Sequence, residues 1–110
     1  GPSIFSSVDQ RQMASVRAAL AEGEVVVLFA GPNNVWHARL WQRGLYPRNP
    51  VAVQFEGEPP ERLRALRERF GIRHAVLIGR PANAPRLRVE RDLGPLAGLP
   101  GRVAFGELPP

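Results

Sequence analysis

The chain has neither cysteine nor lysine among its 110 residues. Without cysteine there are no disulfides, thiolate metal ligands or cysteine nucleophiles, which fits a reducing compartment, so a cytoplasmic location is expected. Without lysine, all 15 cationic side chains are arginines, and with a single tyrosine little is left to titrate near about pH 10. The sequence pI of about 11.4 therefore overstates a formal net charge of only +5. A composition rich in arginine, alanine and proline is also what a GC-rich genome yields without selection for binding. Charge alone thus does not separate a nucleic-acid surface from a solvated one.

Long apolar runs are missing too. No window approaches the roughly 18 to 20 residues needed to cross a bilayer, and no basic segment precedes an apolar one at the N-terminus, so no membrane partner is expected. The two histidines, His37 and His74, lie in different elements and lack the Asp, Glu or His spacing of a metal site. The serines, Ser3, Ser6, Ser7 and Ser15, all stand at the N-terminal end, which makes a Ser-His-Asp arrangement hard to assemble. No catalytic residue, metal or cofactor is expected, and the chain reads as noncatalytic.

What is present is enough apolar residue content for one core but not two. Gly1-Pro2 has the form of an expression-tag remnant, residues 3–108 of a single domain, and Pro109-Pro110 of the start of a linker. Ser7-Val8-Asp9-Gln10 matches a capping box, Met13, Val16 and Leu20 repeat at helical spacing, and Gly23 offers a left-handed stop. Val25 to Phe29 is an apolar run without alternation, which predicts a central strand covered on both faces. Gly31-Pro32-Asn33-Asn34 breaks it, and either asparagine can cap a helix from Val35 to about Arg43, closed by Gly44.

Val51 to Phe55 reads as a second strand. A helix then starts at Pro59-Pro60, buries Leu63, Leu66 and Phe70, and ends at Gly71. Ala75 to Ile78 is a third buried strand. Arg86 to Val89 and Arg102 to Phe105 are short, bounded by Pro and Gly, and predict sheet-edge strands. The sum is an α/β domain: a mixed sheet with a parallel three-stranded β-α-β-α-β centre, two edge strands and an additional N-terminal helix.

Leu66 to Gly79, with its helix end, "FGI" turn and apolar strand, resembles the C-terminal anticodon-binding domain of class IIa aminoacyl-tRNA synthetases, the histidyl type in particular. Arg86 to Leu93 is similar to that family's "V-x-D-L" strand, and Val103 to Leu108 to its closing strand. The resemblance covers Glu24 to Leu108 and implies an RNA-contacting module. The family's C-terminal helix is missing here, and an extra helix stands at the N-terminus.

Three groups of residues are candidate sites. Arg39, Arg43, Arg62, Arg64, Arg67 and Arg73 lie on two helices and the turn after the second, and are the candidates for contacting RNA or single-stranded nucleic acid. Trp36 and Trp41 lie about 140° apart on one helix, so at least one should reach the surface as a partner anchor, and Trp41 is the expected one. Gly31, Asn33 and Asn34 form a possible anion loop at a strand-to-helix junction. The first reading is a noncatalytic binding domain that contacts RNA or DNA. The alternative is a protein-interaction or assembly domain of a larger bacterial protein, anchored by the tryptophan helix and packed against other domains of its parent or a separate partner.

Overall fold

The computed structural model describes residues 5–110, so the expectations of a tag remnant at Gly1-Pro2 and of a domain start at Ser3 fall outside the described residues. The elements run α1 (Ser7–Ala19), β1 (Val26–Ala30), α2 (Val35–Leu45), β2 (Val51–Phe55), α3 (Pro60–Phe70), β3 (His74–Ile78), β4 (Arg88–Pro95) and β5 (Arg102–Glu107), with a 3-10 turn at Pro32–Asn34. The sheet order is β2-β1-β3-β5-β4. β1 is flanked by β2 and β3, both parallel to it, and β5 and β4 follow antiparallel. This is the expected mixed α/β sheet with its parallel centre. The radius of gyration, 12.9 Å, matches the roughly 13 Å of one folded unit of this length.

Alternation along β1 sends successive side chains to opposite faces, and both faces are covered. Val26, Leu28 and Ala30 join Val76, Ile78, Val103 and Phe105 under Met13 and Val16 of α1 and Trp41 and Leu45 of α2. Val27 and Phe29 join Ala75, Leu77 and Ala104 under Leu63 and Leu66 of α3. The uninterrupted apolar run Val25 to Phe29 is thus explained by a helix layer on each side.

Several boundaries differ from the expectation. The N-cap is Ser6, not Ser7: its hydroxyl accepts from the Asp9 amide at 3.0 Å, and Asp9 reaches back to the Ser6 amide, with acid in place of Gln10 as the reciprocal partner. α1 stops before Gly23, with Leu20 extended, because the Arg48 guanidinium donates to the carbonyls of Arg17 and Leu20. Gly23 serves the turn that follows, at φ 84°.

Gly44 does not close α2 but lies inside it. A Cβ there would strike the Met13 sulfur and, at 3.0 Å, Phe5, so this glycine lets α1 and α2 approach. The helix ends at Tyr46, held extended ahead of Pro47. Neither asparagine of the 31–34 loop makes a side-chain cap. Phe70 is 44% exposed rather than buried, since α3 covers the sheet only through Leu63 and Leu66. Arg102 to Phe105 is not an edge either: β5 lies between β3 and β4, and β2 and β4 form the two edges.

Candidate binding surfaces

α2 sorts its residues by angle. His37, Ala38, Leu40, Trp41 and Leu45 are buried against α1 and the sheet. Trp36, Arg39 and Arg43 fall within about 60° of one another on the opposite side, and all three are exposed. Trp36 is 69% exposed, whereas Trp41 is fully buried, which reverses the expected assignment. The reason is the stripe Ala38, Trp41 and Leu45, at i, i+3 and i+7, which carries Trp41 into the core. Tyr46, 67% exposed, closes the outer stripe at the helix end, about 15 Å along the axis from Trp36.

Within that stripe Arg39 lies over the Phe55 ring, 5.2 Å from its centroid, and donates to Gln42 at 3.0 Å. Arg43 has no hydrogen-bond or ion-pair partner among the described residues. Two exposed aromatic faces therefore bracket two guanidinium groups on one helix.

The other predicted arginines are not on this surface. α3 packs on the opposite face of the sheet, so Arg64, Arg67 and Arg73 lie on the other side from Arg43, while Arg62 reaches the open edge of β2. Arg62 is used internally: it pairs with Glu58 at 2.9 Å and donates to the Val53 carbonyl and the Gln54 amide oxygen. Arg64 is exposed. Arg67 donates to the Pro109 carbonyl at 2.7 Å, and Arg67 and Arg73 line a cavity of about 440 Å³ at the foot of β3.

The proposed anion loop is built as a 3-10 turn, with Gly31 buried and Asn33 exposed. Asn34 Oδ1 sits so close to Gly79 that a Cβ there would lie 2.6 Å away, which explains a glycine at φ 69°. The cleft between Asn33, Asn34, Gly79 and Leu99-Pro100-Gly101 encloses about 350 Å³, and no arginine lines it. With no cation among its walls, the loop lacks the charge-assisted donors that hold an anion most strongly.

One feature gave no sequence signal. His37 Nε2 meets Asp9 Oδ1 at 3.2 Å, both residues are buried, and the Ser6 hydroxyl donates to the other oxygen of Asp9 at 2.8 Å. The order is Ser-Asp-His, with the acid in the middle, so the imidazole does not face the hydroxyl as it does in a Ser-His-Asp triad. Its effect is to join α1 to α2. The 28-residue separation has no periodic signature from which the contact could have been read.

Among the described residues, no group of three or more His, Asp or Glu side chains is placed to hold a metal, and no helix is long and apolar enough to cross a membrane. Comparison with protein-family models, curated proteins and solved structures finds no match in any of the three.

Proposed function

We propose that the chain is a noncatalytic binding domain for single-stranded nucleic acid, with the outer face of α2 as its platform. The observation that carries this reading is the stripe Trp36, Arg39, Arg43 and Tyr46: two exposed aromatic rings with two guanidinium groups between them, one of which has no partner among the described residues. Every base has a π-face to stack on an aromatic ring, and arginines neutralise the phosphates between stacked bases. The formal charge of +5 supports the same direction, as does the resemblance of residues 66–79 and 86–93 to an RNA-contacting module.

Fluorescence anisotropy with a labelled single-stranded oligonucleotide at low and moderate salt tests the reading. Arg39→Ala with Arg43→Ala is expected to flatten the salt dependence by about two units of slope. Trp36→Ala is expected to weaken binding by about 1 to 3 kcal/mol, while Arg64→Ala leaves it nearly unchanged. Undetectable binding at low salt, or affinity that follows α3 rather than α2, removes α2 as the platform.

A second reading has its own observation. Val35, Trp36 and Leu99 are all exposed at the end of the sheet where the parallel strands finish, a placement suited to anchoring a protein partner. On that reading the chain is an assembly domain, and light scattering would detect self-association lost in Trp36→Ala.

A further inference from the structure

Two cavities among the described residues are lined by more than one arginine, and they differ in how those arginines are paired. In the cavity of about 340 Å³ beside β4, Arg80 is paired with Glu90 and Arg102 with Asp92. Gly94 N–H and Arg102 hold the Asp92 carboxyl below its usual range, which keeps it a charged partner. That cavity is already neutralised.

The cavity of about 440 Å³ is not. It lies where β3 begins and β5 ends, and its wall carries Arg67, Arg73 and Arg88 against one acidic side chain, Glu107, with Pro110 also lining it. Arg73, Arg88 and Glu107 make no ion pair among the described residues. Arg67 is fixed at the rim by its bond to the Pro109 carbonyl. His74 is held by Glu24 through Nδ1 and stacks on Phe105, with ring centroids 5.5 Å apart. Its volume falls within the roughly 300 to 1,000 Å³ of small-molecule sites.

We propose that this cavity is a site for a phosphomonoester, with Arg73 and Arg88 gripping the phosphate and Arg67 closing its rim. Three planar guanidinium groups lining one space suit the several oxygens of a phosphoryl dianion, which a spherical halide lacks. Glu107 would repel a second anionic group, but it accepts from a hydroxyl beside the phosphate, so the class that fits is a sugar phosphate or nucleotide. A free small molecule and the phosphorylated end of a nucleic-acid strand present this same group. The site stands apart from the α2 platform and does not depend on it.

Thermal melts in inorganic phosphate against chloride at matched ionic strength test the proposal. At about ten times its Kd, phosphate should raise the midpoint by about 5 °C, an increment that chloride does not reproduce. Arg73→Ala with Arg88→Ala removes two exposed side chains, so its midpoint in chloride stays within about 2 °C of the parent while the phosphate increment is lost. Arg64→Ala, outside the cavity, retains it. Uridine 5′-monophosphate should protect and uridine should not. If a 5′-phosphorylated oligonucleotide binds more tightly than its 5′-hydroxyl form and the Arg73/Arg88 variant erases the difference, the occupant is a strand end; if the two bind equally, it is a free small molecule. Equal melts in phosphate and chloride, or an increment that survives the double substitution, overturn the proposal.

Discussion

Two tryptophans five positions apart have opposite roles, and single substitutions separate them. Trp41 is enclosed by the α1 and α2 core, so Trp41→Ala should cost about 3 to 5 kcal/mol in chemical denaturation, whereas Trp36→Ala should stay within about 0.5 kcal/mol. Trp41→Phe should cost less than Trp41→Ala, because it leaves a smaller cavity and the buried indole N–H has no hydrogen-bond partner among the described residues to lose. Asp9 both caps α1 and faces buried His37. Asp9→Ala should therefore cost about 2 to 4 kcal/mol, the sum of a lost cap and an unpaired buried imidazole. That one tryptophan must leave the core was legible from the roughly 140° between them. Which one leaves was also written in the sequence, in Ala38 and Leu45 at helical spacing from Trp41, whereas the polar Gln42 and Arg43 next to Trp41 in the chain carry no such information. The Asp9 to His37 pair was not legible, since it depends on how two helices cross.

At the scale of elements, strands buried on both faces were the most readable because an apolar run without alternation has few other uses. Helix ends were least readable, because a distant side chain decided them: Arg48 terminates α1, and contact with α1 rather than capping accounts for Gly44. Gly44→Ala should accordingly destabilise the fold despite the higher helix propensity of alanine, the reverse of its effect in an isolated helix. β4 is an edge, as expected, but it runs Arg88–Pro95 where Arg86 to Val89 was expected, with irregular pairing between Arg88 and Arg91. Val89 sits at φ 48°, 74% exposed, a conformation that strains a β-branched residue. Val89→Asn should raise stability by about 1 kcal/mol, measured by thermal melting, if the bulge is kept.

For the molecule as a whole, the sheet divides the arginines that the sequence grouped together. Arg39 and Arg43 stand with Trp36 and Tyr46 on α2, and Arg67, Arg73 and Arg88 surround the cavity at the foot of β3, on separate surfaces. Linear spacing could not reveal this partition, because it follows from α2 and α3 crossing the sheet on opposite faces. The most direct test of the α2 platform uses the presence of only two indoles in the chain. In a ¹H–¹⁵N spectrum titrated with a single-stranded oligonucleotide, the indole N–H of Trp36 should shift strongly, with the backbone amides of Arg39, Arg43 and Tyr46, while that of buried Trp41 stays nearly still. A Trp36 indole that does not move while the spectrum registers binding elsewhere would contradict the account.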